Sequence, residues 1–241
     1  MKQAVLTIKE NDPLTSCVYR MRLGGCAGVN LPGQFVNVSV PGLFLRRPIS
    51  VCDFDGETLT LIYKVVGKGT DAMSRMRPGE TLDTLCGLGN GYDLGADCSK
   101  PLLVGGGVGV PPLYYLAKTL INKGKTVSVV LGFNTREEIF YEEEVRALGC
   151  SVTVTTADGS YGVKGFVTDA LPVEYDYFYA CGPMPMLRAL YAALVTPGEM
   201  SFEERMGCGF GACMGCSMQT KGGPKRVCKE GPVFKKEELI W

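Results

Sequence analysis

The run Pro101-Leu102-Leu103-Val104-Gly105-Gly106-Gly107-Val108-Gly109-Val110-Pro111-Pro112 marks a change in the character of the chain. Four apolar residues run into glycines, and two prolines follow where the first turn of a helix accepts them. The pattern predicts a β-loop-α unit, with a buried strand at Pro101 to Val104 and a helix from Leu113 to Asn122. The loop departs from the strict G-x-G-x-x-G spacing, because Val110 takes the last glycine position counted from Gly105; it fits G-x-G-x-x-P instead. Glycines between a strand and a helix N-terminus still let backbone N–H groups approach a phosphate. A tight structural turn is the competing reading.

Beyond this unit the alternation continues. A strand is expected at Thr126 to Leu131, a helix around Glu142 to Leu148, and strands at Ser151 to Thr155 and Tyr175 to Tyr179. A last clear helix is expected from Met184 to Leu194. Such alternation implies a parallel sheet. Before it, residues 2 to about 95 hold short β-branched or alternating runs: Ala4 to Ile8, Phe35 to Val40 and Leu59 to Val65. Turn signals at Leu31 to Gln34, Asp53 to Glu57 and Arg77 to Glu80 separate them, which predicts a small antiparallel barrel. The expected class is therefore α+β multidomain. Its units are an antiparallel β-barrel over 1–96, an α/β parallel-sheet domain over 97–200, and a small cysteine-rich C-terminal module over 201–241.

Composition narrows the chemistry. The 241 residues include 25 Lys and Arg against 25 Asp and Glu, so no net charge draws the chain to nucleic acid or to an anionic membrane. No stretch has the length of a signal peptide's apolar core or of a membrane helix, so a cytoplasmic protein is expected. Histidine is absent, which removes Ser-His and Cys-His nucleophile pairs and every metal site that needs imidazole. Any reaction is carried by cysteine or by a bound cofactor. Eleven cysteines, an odd number in a chain of this length, fit reduced thiols better than a disulfide scaffold.

Four of those cysteines stand as Cys208-x4-Cys213-x2-Cys216-x11-Cys228, the C-x4-C-x2-C…C spacing of plant-type [2Fe–2S] ferredoxins. Gly207, Gly209, Gly211, Ala212 and Gly215 keep the loop small enough for backbone N–H groups to reach the sulfurs. A four-cysteine zinc site and a cluster of unliganded thiols are the alternatives. Cys17, Cys26, Cys52, Cys86, Cys98 and Cys150 show no such pattern and read as small buried residues. Met206, Phe210, Met214 and Met218 beside the loop read either as an apolar docking patch or as core.

In the N-terminal half, Arg46-Arg47-Pro48-Ile49-Ser50 ends a strand pair and sets a permanent cation and a hydroxyl on either side of a φ-fixed proline. This suits gripping a phosphate beside a ring, although an exposed basic turn has the same sequence. Downstream, Ile62-Tyr63-Lys64 offers an aromatic ring to stack and a cation, and Gly67-Lys68-Gly69-Thr70 a glycine turn whose amides face a diphosphate.

Taken in order, Arg47-Pro48-Ile49-Ser50, Gly69-Thr70, the Gly105 to Pro112 loop and Cys181-Gly182-Pro183 resemble the ferredoxin-NADP reductase superfamily. With the four cysteines, and with Asp158 to Gly162 and Arg226 to Phe234, essentially the whole chain resembles the electron-transfer subunits of class B dihydroorotate dehydrogenases. The resemblance implies one FAD, one [2Fe–2S] cluster and NAD(H) as substrate. It implies that Arg47, Pro48, Ile49 and Ser50 meet the flavin, with Ser50 tuning it, that Ile62, Tyr63 and Lys64 line it, and that Gly69 and Thr70 hold its phosphates. Lys64 stands where the family commonly has arginine. Gly105, Gly106, Gly107, Gly109, Cys181 and Gly182 would lie along NAD(H), and Cys208, Cys213, Cys216 and Cys228 would hold the cluster.

The implied activity passes electrons from the FMN-containing dihydroorotate dehydrogenase partner through the cluster and FAD to NAD⁺, in pyrimidine biosynthesis, within a heterotetramer of two copies of each chain. Reductase subunits that serve sulfite reductase, hydrogenase or ferredoxin are rivals within the superfamily. A zinc-binding interaction module is a rival of another class. The acidic residues Glu137, Glu138 and Glu142 to Glu144 disfavour NADP, although Arg136 leaves it open.

Overall fold

The structure is a computed structural model describing residues 1–241. The first six strands are β1 (Lys2–Pro13), β2 (Val18–Gly24), β3 (Phe35–Val38), β4 (Arg47–Phe54), β5 (Thr58–Lys64) and β6 (Thr81–Leu88). They close an antiparallel barrel in the order β1-β2-β5-β4-β3-β6. Strand alternation explains its interior: Leu59, Leu61 and Tyr63 share one face of β5 and are buried with Leu6, Ile8, Met21 and Leu23. Two sequence expectations change here. Arg47 to Ser50 opens β4 rather than ending a strand pair, and Lys68–Ser74 is a short helix, α1, with Gly67 as its N-cap rather than a glycine turn.

The second unit contains β7 (Pro101–Gly106), α2 (Val110–Asn122), β8 (Ser128–Phe133), α3 (Glu142–Ala147), β9 (Ser151–Thr156), β10 (Val163–Lys164), β11 (Tyr177–Cys181), α4 (Met184–Ala193) and β12 (Gly198–Ser201). Strands β8 and β11 each begin two residues later than the sequence suggested. The cysteine-rich segment adds a hairpin, β13 (Ser217–Thr220) and β14 (Gly223–Arg226), and then β15 (Val233–Lys235). The large sheet runs β10-β9-β8-β7-β11-β12-β15, parallel except at its last pair, where β15 lies antiparallel to β12. The C-terminal segment is therefore woven into the edge of the sheet, and β12 spans the expected boundary at residue 200.

The two faces of the sheet bury different sets of residues. Leu103, Val129, Leu131 and Tyr179 pack under α2 on the barrel side, while Leu102, Val104, Val130 and Phe178 pack under α4 together with Cys216, Val227 and Cys228. Helix α2 also lies against β4, and the Lys118 ammonium pairs with the Asp53 carboxylate at 2.8 Å across that junction. Tyr179 and Tyr92 meet edge to face with centroids 5.5 Å apart, and the Tyr179 hydroxyl donates to the Asp93 carbonyl at 2.9 Å. Barrel and sheet are thus locked together.

Glu199 on β12 is 4% exposed, and its carboxylate accepts from the Asp93 backbone N–H at 2.9 Å. Burial, with the nearby Asp93 charge adding to it against that single hydrogen bond, pushes its pKa from 4.5 up to about 7. Between these values the folded chain holds a proton that the unfolded chain has lost, so this group costs stability as pH rises from about 5 to 8. Glu199→Gln keeps an acceptor and removes the charge. Its gain in thermal stability is expected to be near zero at pH 5 and to grow toward pH 8, bounded by about 3 kcal/mol. Thermal melts across that range check it; a gain that shrinks with pH would contradict the assignment.

Candidate functional site

A crevice of about 650 Å³ runs along the C-terminal edge of the large sheet. Gly106 ends β7 and Gly107, Val108 and Gly109 come from the loop after it, while Gly132, Phe133, Asn134 and Glu138 come from the end of β8 and the turn beyond. Thr155, Gly182 and Pro183 close the ends of β9 and β11, and Lys64 reaches in from the barrel. Ligands of open α/β sheets bind outside the carboxyl ends of the strands, which is where this crevice lies. Packing demands some of its glycines. A Cβ on Gly109 would stand 2.1 Å from the Cys181 carbonyl oxygen, and one on Gly106 2.6 Å from the Met186 sulfur. Thr155 is fully buried, and its hydroxyl has no hydrogen-bond partner in the protein, a vacant polar contact that suits a polar ligand.

Gly105 and Cys181, expected along the same ligand, do not line the crevice. Gly105 is buried against Val110 and Leu113, and the Cys181 side chain is 3% exposed. Their backbones instead set the spacing of β7 and β11, which are register partners at these residues.

On the barrel, Arg46 and Arg47 separate in role. The Arg46 guanidinium pairs with the Asp83 carboxylate at 2.6 Å and donates to the Asp83 carbonyl at 2.9 Å, so it fastens the loop before β4 to β6. Arg47 folds over the start of α1: a Cβ on Gly69 would meet its Nε at 2.2 Å, and its guanidinium donates to the Leu45 carbonyl. A permanent cation therefore stands over the first turn of α1. The Thr70 hydroxyl accepts from the Val66 N–H at 3.0 Å and caps the chain entering that helix.

Tyr63 corrects the sequence reading. Its ring lies inside the barrel at 2% exposure, its hydroxyl donates to Asn11 at 2.9 Å, and no face is left for stacking. Ile62 is also buried, between barrel and sheet, so of the three residues Ile62 to Lys64 only Lys64 presents its side chain to the crevice.

The four cysteines form two pairs. The Cys208 sulfur accepts from the backbone N–H groups of Ala212 at 3.2 Å and Cys213 at 3.4 Å, while the Cys213 sulfur accepts from Cys208 N–H. Burial opposes ionisation of Cys208, but the amides of Cys213, Phe210 and Ala212 outweigh it and bring its pKa down to about 6. Cys216 and Cys228 make the second pair, both buried, with Cys228 N–H donating to the Cys216 sulfur at 3.4 Å. Burial and then the Cys216 contact push Cys228 up to about 12. No three Cys, Asp or Glu side chains converge on a single metal position. Two thiol pairs suit a two-iron cluster, each iron taking one pair, better than they suit one tetrahedral ion.

The cysteine loop is docked on the barrel. Asn37 on β3 donates through Nδ2 to the Cys208 carbonyl at 3.2 Å, and Asn37 is the register partner of Pro48 on β4. A Cβ on Gly209 would meet the same Asn37 nitrogen at 2.2 Å, and Gly209 has φ +77°, so glycine favours this close approach. Met206 and Met218 pack into the core, whereas Phe210 and Met214 remain exposed at 43% and 52%.

The electron transfer subunit of dihydroorotate dehydrogenase B (NAD(+)) from Geobacillus sp. (strain WCH70) is 46% identical to this chain, covering all of it and 99% of the relative. The chain belongs to this family of electron transfer subunits. The counterpart from Fusobacterium nucleatum subsp. nucleatum is 42% identical over 97% of each chain. Residues 203–240 match the iron–sulfur cluster binding domain of dihydroorotate dehydrogenase B, and residues 103–191 match the oxidoreductase NAD-binding domain.

Among solved structures, an NADH-dependent reduced ferredoxin-NADP oxidoreductase, described in work on flavin-based electron bifurcation, superposes with a TM-score of 0.90. It is 31% identical over 99% of this chain and 90% of that one. A ferredoxin NADP⁺ reductase from Neisseria gonorrhoeae, 17% identical over 81% of this chain and 91% of that one, shares the fold with a TM-score of 0.70. The barrel and parallel sheet are thus those of a reductase, and the match of the cysteine segment to an iron–sulfur domain disfavours the zinc-module reading.

The sequence had no signal for Thr155, Phe166 or Glu203, which line the crevice only because distant segments fold over it. Arg136 was open as an NADP contact. Its guanidinium instead lies 5.7 Å from the centroid of the Tyr161 ring, while Glu138, held by Asn134 at 2.8 Å, is the charged residue of that stretch on the crevice.

Proposed function

We propose that this chain carries electrons taken from dihydroorotate by an FMN-containing partner subunit to NAD⁺, with one [2Fe–2S] cluster and one FAD as its resident cofactors. The carrying observation is the Asn37 bridge, which ties the cysteine loop at Cys208 to the strand pair bearing Arg47 to Ser50. When bound, the cluster moves single electrons and the flavin exchanges a hydride with the nicotinamide. The protein's share is placement and charge. Cys208 with Cys213, and Cys216 with Cys228, hold the two irons. Arg47 over α1, together with the amides at Gly69 and Thr70, neutralises a diphosphate, and Ser50 offers a hydroxyl to the ring. Phe35, the register partner of Ser50, is buried against the C-terminal core that includes Cys216 and Cys228, so β3, the neighbour of the flavin strand, and the cluster segment share one packed layer.

Gly106, Gly107, Gly109 and Gly182 let the NAD(H) backbone lie close to the strand ends, with Lys64 facing it from the barrel. Glu138 favours a free ribose hydroxyl over a ribose phosphate, which supports NAD over NADP. None of these tasks needs a side-chain acid or base, consistent with a redox catalyst free of histidine. The family resemblance supports a heterotetramer of two copies of each chain, placed in the cytoplasm. No helix is long and apolar enough to cross a membrane.

The test uses the complex purified without oxygen through a tag on this chain. Dihydroorotate and NAD⁺ together are expected to give orotate and NADH in equal amounts. Failure with iron, sulfide and FAD all present would move the assignment to another catalytic partner, of the sulfite reductase or hydrogenase type.

A further inference from the structure

Two residues other than glycine hold a left-handed backbone. Met214, at φ +59°, lies inside the cysteine loop, and Tyr141, at φ +64°, is the residue from which α3 starts. A bulky side chain avoids this region, so the surroundings must hold it there. For Tyr141 they do. Its carbonyl accepts from the Val145 N–H at 3.1 Å in the first turn of α3, and its ring, buried, meets Tyr114 of α2 edge to face with centroids 5.2 Å apart. Its hydroxyl donates to the thiol of Cys52, which is fully buried on β4. Cys52 is itself out of line. Between Val51 and Asp53, β4 advances two residues where β5 advances one, from Leu61 to Thr60, so Cys52 is the extra residue of a β-bulge. Val51 packs inside the barrel, while Cys52 packs in the core that Val18 and Ile62 of the barrel share with Tyr141 and the sheet.

We infer that Tyr141 is a positioning residue for hydride transfer: through Cys52 it fixes the flavin strand relative to the nucleotide crevice. This rests on the reading of the chain as an FAD- and NAD(H)-binding subunit. Two local departures, a bulge on the barrel and a left-handed residue on the sheet side, serve one contact between the units. That contact lies two residues past Ser50 on the flavin strand, and Phe140, which precedes Tyr141, lines the small side cavity with Lys64 and Gly107. With the flavin held by the barrel and the nicotinamide by the sheet, the approach of the reacting atoms depends on how the two units sit. Apolar packing across the junction is non-directional, whereas a hydrogen bond fixes an angle. The Lys118–Asp53 ion pair joins the same units through side chains that are still partly exposed, at 33% and 20%. The ion pair and the shared core hold the units together, and the buried Tyr141–Cys52 contact sets their alignment.

The test follows reduction of FAD by NADH in the cofactor-loaded complex, by rapid mixing without oxygen, which separates NADH affinity from the limiting rate of hydride transfer. Tyr141→Phe keeps the ring and loses the hydroxyl. Its limiting rate is expected to fall about fivefold, the fold-change for one lost hydrogen bond, with NADH affinity and melting temperature unchanged. Tyr141→Leu loses the ring as well, and the rate falls about 100-fold, the scale of a displacement of about 1 Å. The long-wavelength charge-transfer absorbance of nicotinamide against flavin weakens in the same order. Cys52→Ala lowers the rate as Tyr141→Phe does, and the double variant falls no further. A wild-type limiting rate in Tyr141→Phe, additive losses in the double variant, or a loss confined to melting temperature overturns the positioning role. A wild-type complex whose flavin NADH does not reduce overturns the function on which it rests.

Discussion

Replacing Cys228 by serine is expected to abolish dihydroorotate-driven NADH formation while sparing the reaction of NADH with a small artificial electron acceptor. Cys228 is buried beside Cys216, so the substitution removes a soft thiolate and leaves a hard hydroxyl with no water to compensate it. The loss is expected to exceed about 100-fold, the upper end of the cost of removing a mere outer-shell partner of a metal ligand. Iron and acid-labile sulfide fall with it. The NADH half-reaction survives because Cys228 does not line the glycine crevice and lies outside the Arg47 to Ser50 strand. Cys213→Ser, in the other pair, gives the same split between activities. Cys150→Ser, at a buried thiol outside the loop, changes neither. If Cys228→Ser kept its iron and its dihydroorotate activity, the pairing of thiols described above would be wrong.

How much of this was legible depends on the range of the interaction. The cysteine spacing and the strand-glycine-helix unit are local, and each was readable because neighbours in sequence do the work. The face of Tyr63 was readable too, since Leu59, Leu61 and Tyr63 alternate on one side of β5. The aromatic character drew the stacking reading, and period-two geometry decides against it. Helix α1 was hidden because Gly67 and Gly69 suppress helix propensity; it exists because Met73 is buried in the barrel. Strands β12 and β15 escaped because each is only three or four residues long and their pairing joins segments more than thirty residues apart.

The pairing of β12 with β15 has a functional consequence. It fixes the two ends of the cysteine-rich segment to the same sheet edge, so the loop between them is anchored at Ser201 and at Val233. Asn90 adds a clamp: its N–H and side chain bond Gly231, Glu230 and Val233, with Asn90 Nδ2 donating to the Val233 carbonyl at 2.8 Å. The cluster segment is thus held against both barrel and sheet. This fixes the thiol pairs relative to the flavin strand, and electron transfer depends on that placement.

The second large effect is expected at Gly109, and its contrast with Gly107 separates damage to the fold from obstruction of the ligand. Gly109 has ordinary helical angles, φ −80° and ψ −12°, so alanine carries no conformational penalty there. Its methyl would instead lie 2.1 Å from the Cys181 oxygen and 2.6 Å from the Gly182 nitrogen, which are backbone atoms with no rotamer to retreat into. The strand end and the glycine loop must part, at a cost of about 1–3 kcal/mol for overpacking. A displacement of that size across a nucleotide site is expected to weaken NADH binding about 100-fold.

Gly107 differs in both respects. It sits at φ +51°, and a methyl there meets nothing within 4 Å, so Gly107→Ala costs only about 1 kcal/mol of left-handed strain. Its methyl points into open space at a residue lining the crevice, where a bound diphosphate would approach. Gly107→Ala is therefore expected to weaken NADH binding with little change in melting temperature, while Gly109→Ala lowers both. Melting curves and NADH titrations on the two variants read the difference. A Gly109→Ala protein with wild-type melting and wild-type affinity would show that the close approach of β7 and β11 is not what shapes the nucleotide site.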